Sequence, residues 1–131
     1  MLKTRPNKNV IIYPNKVYTS GFIDIDKWVP SKRQISMAYI NPSGFRGYTF
    51  EELIPPRELQ VAYKNGEISE TIYREVYEDN ILALLNPVEV YERLSGMVLC
   101  SWGTKSKSSP RLIVTNWLGN SLGFQFIGGE I

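Results

Sequence analysis

The chain contains no histidine. That removes the side chain most used as a general base at neutral pH, both common histidine-activated nucleophile pairs, and nearly all zinc sites. It has one cysteine, Cys100, so no intramolecular disulfide can form. No apolar run approaches the roughly 18 residues that a membrane span needs. Residues 1–9 are basic but lack the apolar stretch of a signal peptide, which predicts a cytoplasmic protein with no membrane partner. The net charge is only +2 over 131 residues, too little to argue for nucleic acid.

What is present is the make-up of one globular α/β domain. The hydrophobic fraction of 43% with 12% aromatics is too apolar for a disordered chain. A chain of this length can bury a sizeable core unaided by disulfide or metal. Charge is unevenly spread. Residues 1–22 carry Lys3, Arg5, Lys8 and Lys16 and no acid, whereas residues 51–92 carry ten acids against three basic residues. Glu75, Glu78 and Asp79 in that stretch read as a solvated helix face.

Val10 to Tyr13 and Lys16 to Ser20 are short runs of strand formers around the Pro14-Asn15 turn, a hairpin or one interrupted strand. Ile35 to Ile40 is a further strand candidate, followed by a glycine and aromatic loop from Gly44 to Tyr48. Pro55-Pro56 opens a helix that runs to Tyr63 or Lys64 and exits at Asn65-Gly66. Ser69 is the N-cap of the next helix, predicted over residues 69–84. Asn86-Pro87 caps another that ends near Ser95-Gly96. Met97 to Cys100 is wholly apolar, as in a strand buried on both faces of a parallel sheet. Ser109-Pro110 opens a last helix, closed by Gly119-Asn120, and Leu122 to Ile127 is a final strand candidate. Strands at both ends with helices between predict a mostly parallel central sheet, helices on its faces.

Ordered short motifs then resemble the domain of unknown function 488, a prokaryotic family of small α/β proteins. They begin with Tyr18-Thr19-Ser20-x-Phe22, Ile35-Ser36 with Pro42, Leu53-x-Pro55 and Tyr63-Lys64-x-Gly66. Tyr73-x-x-x-Tyr77, Leu82-x-x-Leu85-Asn86-Pro87, Val98-Leu99-Cys100 and Arg111-x-x-Val114-x-x-Trp117-Leu118 follow, so the resemblance spans residues 17–118. That family usually carries a Cys-x-Glu where this chain reads Cys100-Ser101-Trp102. It usually has Cys-His-Arg where this chain reads Ser109-Pro110-Arg111. The resemblance thus implies a member that has lost whatever chemistry those groups perform, with no catalytic residue, cofactor or metal to assign.

Ligands of such sheets sit at the carboxyl ends of the strands. The loop after Cys100 offers Lys105, Lys107 and Ser109 and enters a helix N-terminus, where backbone N–H groups attract anions. Arg111 in that first turn is unfavourable beside the helix dipole unless an anion joins it. Trp102 offers a stacking face. Tyr18 and Ser20 lie at the end of an earlier strand, and Lys64, Tyr73 and Tyr77 on helices. These ten residues predict a site for a small anionic, nucleotide-like ligand, bound without catalysis. A protein of this kind would sense or sequester a signalling nucleotide, as some phage proteins do. Two alternatives stay open. One is an enzyme acting on a nucleotide or nucleic acid through Cys100 or tyrosine hydroxyls. The other is a nucleic-acid or protein-interaction module using Lys3, Arg5, Lys8 and Lys16; the modest charge disfavours nucleic acid. A homo-oligomer is compatible with all three.

Overall fold

The computed structural model describes residues 10–23, 25–106 and 109–131. Its centre is a five-stranded, wholly parallel sheet. The strands are β1 (Val17–Gly21), β2 (Gln34–Ser36), β3 (Tyr48–Thr49), β4 (Val98–Ser101) and β5 (Ile127–Glu130), in spatial order β3-β2-β4-β1-β5. Every pairing is parallel, with Tyr18 opposite Val98 and Ile35 opposite Leu99. β4 is interior, and all four of its residues are buried, as its apolar run predicts. The fold is therefore the single α/β domain that the sequence predicts.

The helices are α1 (Ile25–Trp28), α2 (Arg57–Lys64), α3 (Glu70–Asn80), α4 (Pro87–Leu94) and α5 (Pro110–Leu122). Two starts follow their side chains. Ser69 Oγ accepts from the Ile72 N–H at 3.2 Å, and Asn86 Oδ1 accepts from the Val88 N–H at 2.9 Å, ahead of Pro87. Strand alternation then divides the core. Val17, Ile35 and Leu99 face Tyr73, Tyr77, Leu94, Val114 and Leu118 of α3 to α5. Tyr18, Val98 and Cys100 face the other way, against Ile25 and Val29 in and after α1. Each fully buried side chain of this size stabilises by about 1.5–3 kcal/mol.

Several boundaries differ from the sequence expectation. Residues 10–13 form no strand, so there is neither a hairpin nor an interrupted strand, and β1 begins at Val17. β2 stops at Ser36, because the Ser36 hydroxyl bonds the Asn41 side chain and accepts from the Ala38 N–H, turning the chain. The loop after Gly44 ends in β3, which pairs with β2. α3 ends at Asn80, and Leu82–Leu84 is a separate 3-10 turn. α5 runs through Gly119 to Leu122. Gly119 is there for packing: a Cβ would lie 2.3 Å from the Phe124 ring. The final strand accordingly starts later, at Ile127, after a 3-10 turn over Phe124–Phe126.

Tyr77 is fully buried and its hydroxyl donates to the Leu53 carbonyl at 2.6 Å, tying α3 to the 3-10 turn Glu51–Leu53. Tyr77→Phe would leave that buried carbonyl without its donor. Urea denaturation should show a loss of about 1–2 kcal/mol; an unchanged midpoint would mean the bond contributes nothing.

A candidate anion-binding cleft beside a plugged strand crevice

The chain leaves β1 through α1, on the Tyr18 face, and leaves the adjacent β4 through α5, on the Leu99 face. Their carboxyl ends thus flank a topological switch point, where parallel sheets commonly hold ligands. Here a side chain fills that crevice. Arg111 is 1% exposed and reaches in from the first turn of α5. Its Nε and Nη2 donate to the Glu130 carboxylate of β5 at 3.0 and 2.8 Å. Its Nη1 donates to Ser101 Oγ at 3.0 Å and to the Ser101 and Trp102 carbonyls at 3.3 Å. A Cβ on Gly21 would stand 3.2 Å from the Gly103 carbonyl oxygen, a tight contact that the loop would have to relieve by a few tenths of an ångström, and in ordinary contact with Arg111 Nη2 at 3.6 Å. Burial alone would raise the Glu130 pKa. Hydrogen bonds from Arg111 and the charges of Arg111 and Lys105 outweigh it and hold the carboxyl below its ordinary value.

Arg111 is therefore not presented to a ligand in this arrangement. The anion that resolves its conflict with the helix dipole is Glu130 of the chain itself. The α5 N-terminus is also less open than expected. Pro110 has no N–H, and the Leu112 and Ile113 N–H groups both bond the Ser109 carbonyl. Ser109 stands at the N-cap without a side-chain cap bond. Its hydroxyl instead donates to the Thr104 carbonyl and accepts from the Ser106 N–H, knitting the loop to itself.

The open site lies one strand over. A cleft of about 590 Å³ sits beyond the carboxyl ends of β2 and β4, between α2 and the 101–106 loop. It brings together Lys64, Tyr73, Trp102 and Ser109 from the residues singled out in the sequence. It adds Tyr39, Arg57 and Tyr63. Arg57 and Lys64 are seven residues apart on α2, two helical turns, hence on one face. Both are exposed, and among the described residues no acid lines the cleft. The Arg57 guanidinium lies 5.6 Å from the Tyr39 ring centre. Trp102 is 49% exposed but held from two sides. Its Nε1 donates to the Ile40 carbonyl at 2.6 Å, and its ring packs 4.8 Å from Phe22. Tyr73 forms the inner wall, stacked 4.7 Å from Tyr63, and burial, with a smaller push from Tyr63, raises its pKa to about 12.

The other singled-out residues lie elsewhere. Tyr18 and Ser20 are buried in β1. The Tyr18 hydroxyl accepts from the Tyr13 N–H, and the Ser20 hydroxyl donates to the Gly21 carbonyl. Tyr77 is in the core, its hydroxyl donating to the Leu53 carbonyl rather than to a ligand. Lys105 lines a different cleft. Lys107 lies outside the described residues, as do Lys3, Arg5 and Lys8 of the basic N-terminal stretch. Arg57 was findable from sequence. It is a cation in a helix first turn after Pro55-Pro56, the same misfit with the helix dipole as at Arg111.

Cys100 is fully buried, and its Sγ faces the Val98 carbonyl at 3.4 Å. Burial pushes its thiol pKa up to about 12; a backbone hydrogen bond from Ile35 and the Arg111 charge offset only part of this. It is a core residue that stays protonated at neutral pH. In native protein a disulfide reagent at pH 8 should label it at least about a hundredfold more slowly than in urea. Equal rates in both would show an accessible thiolate. Among the described residues no metal-binding group of three or more His, Cys, Asp or Glu side chains occurs, and no helix is long and apolar enough to cross a membrane. In comparisons with family models, curated proteins and solved structures, nothing matches the chain.

Proposed function

We propose that the chain binds a small anionic ligand with a flat ring, of nucleotide class, in the cleft between α2 and the 101–106 loop, and binds it without catalysis. The observation that carries this reading is the charge of the lining. Residues 51–92 hold ten acids, yet the cleft takes two cations from that segment, Arg57 and Lys64, and none of the acids. Two half-exposed rings, Tyr39 and Trp102, border the same space. Trp102 is fixed by a hydrogen bond and by Phe22, so little side-chain entropy is lost when a ring stacks on it. The volume of about 590 Å³ suits a nucleotide-sized molecule. Binding without catalysis is supported by the buried, protonated state of Cys100 and Tyr73. The resemblance to the domain of unknown function 488 family is part of this proposal, with Trp102 and Pro110 standing where that family's acid and histidine would be.

Native mass spectrometry of the purified chain should reveal a co-purified small anion. Titration calorimetry with nucleoside monophosphates and cyclic nucleotides should give saturable binding that Trp102→Ala weakens by about tenfold, the scale of one stacking contact. Absence of binding across that panel would remove the nucleotide reading. Sensing or sequestering a signalling nucleotide is the biological role that fits a binder of this kind.

A further inference from the structure

A second cleft, of about 580 Å³, lies on the far side of the 101–106 loop, between the middle of α3 and the first turns of α5. Leu112 and Ile113 contribute apolar side chains to its wall, and Arg74, Lys105, Ser106 and Asn116 surround it with hydrogen-bonding groups. Glu78 is the one acid in its lining among the described residues. Arg74 Nε is buried and has no hydrogen-bond partner among the described residues. No hydrogen bond or ion pair joins the half-buried Arg74 guanidinium to a described residue, and a charged donor partly taken out of water without an acceptor is costly. Glu78 lies one turn along α3, yet no ion pair joins it to Arg74. Lys105 is exposed at the rim and pairs with no acid within salt-bridge reach among the described residues. An unsatisfied guanidinium N–H, a second cation, an amide and a hydroxyl around an apolar wall are together the complement of a tetrahedral oxyanion.

We propose that this second cleft is a binding site for a phosphate-type oxyanion, with Arg74 as its principal donor and Lys105 as its second charge. The half-buried Arg74 supplies the directional bonds through the part of its guanidinium that lines the cleft, Lys105 closes over the outer oxygens, and Asn116 offers an amide from α5. Glu78 opposes the anion by like-charge repulsion and sets the affinity low. The site is independent of the first cleft, because it needs no ring. The oxyanion comes either free in solution or as the phosphate of a larger molecule, and the chemistry is the same in both cases.

The test is calorimetric titration of the full chain with inorganic phosphate, followed by the same titration with a nucleoside 5′-monophosphate. Phosphate should bind saturably to the wild type. Arg74→Ala should weaken it by about tenfold or more, Lys105→Ala by less, and Glu78→Gln should strengthen it. Lys32→Ala, on an exposed turn remote from both clefts, should change nothing, which separates a site from a general charge effect. Circular dichroism checks that Arg74→Ala stays folded; Lys105→Ala, at an exposed position, keeps the test intact if it does not. If phosphate at saturation leaves the monophosphate affinity unchanged, the free ion is the occupant. If the two compete, and Arg74→Ala weakens both, the phosphate of the larger ligand is. No phosphate binding by the wild type, or equal affinity in wild type, Arg74→Ala and Lys105→Ala, overturns the proposal. Neither result bears on nucleotide binding that depends on Trp102, so the two sites stand or fall separately.

Discussion

Arg111→Ala should lower the unfolding free energy by about 3 kcal/mol, which for a chain of this size is on the order of 10 °C in Tm. The substitution deletes a guanidinium that is 1% exposed and leaves the Glu130 carboxylate, itself only 12% exposed, without its cation. It also strips a donor from the Ser101 hydroxyl and from the Ser101 and Trp102 carbonyls, where the cleft-bearing loop begins. Breaking a buried pair from one side costs about 3–5 kcal/mol, and the residual exposure of Glu130 argues for the low end. Replacing both partners with methionine should recover part of the loss, since no orphaned charge remains. The pH dependence has a definite sign. Glu130 has a lowered folded-state pKa, so its contribution is complete above the unfolded carboxyl value of about 4.3 and fades as pH falls through the folded value. The gap between wild type and Arg111→Ala should therefore be widest at neutral pH and close in acid. A melt within about 1 kcal/mol of wild type at pH 7 would show that the plug carries no stability.

From sequence, the same substitution reads as one that spares the fold and weakens a ligand. The difference traces to one strand. With the last strand placed at Leu122 to Ile127, Glu130 falls beyond it and offers nothing to Arg111. With β5 at Ile127–Glu130, it sits beside β1 and faces the arginine. The cause of that shift is Gly119, which in sequence looks like a helix exit but serves as the seat of the Phe124 ring. Local signals were sufficient where a side chain acts on its own neighbours. Ser69 and Asn86 cap as their spacing implies, and the apolar run at Met97 to Cys100 becomes an interior strand. They failed where the deciding partner is distant. Tyr77 meets Leu53, and Trp102 meets Ile40 and Phe22, across gaps that no periodicity encodes. The cleft was legible in part for the same reason. Lys64 and Trp102 stand out by type and position, whereas Tyr39 is a cleft residue only because β2 turns away at Ser36.

The double substitution Arg57→Ala with Lys64→Ala should abolish most anionic-ligand affinity while leaving the melt unchanged. Both side chains are exposed, neither pairs with an acid within salt-bridge reach among the described residues, and alanine is a good helix former. Stability should therefore stay within about 0.5 kcal/mol of wild type. Binding should respond far more. A charge-assisted hydrogen bond is worth about 1.5–3 kcal/mol, so each lost cation reduces affinity by roughly tenfold to a hundredfold. The two effects should nearly multiply, because the cations lie two turns apart on α2 and meet different parts of a ligand. Arg57→Lys should recover only part. Lysine keeps the charge but loses the planar fork and its stacking over the Tyr39 ring. Raising the salt concentration should weaken wild-type binding and leave the residual binding of the double variant nearly flat, since its remaining contacts are to Trp102 and the apolar wall. A ligand that binds wild type and double variant equally, or that shows the same salt dependence in both, would mean that the absence of acids in this cleft has no bearing on what it holds. The combination of lost affinity and an unchanged melt separates these cations from Arg111, whose removal acts on the fold first.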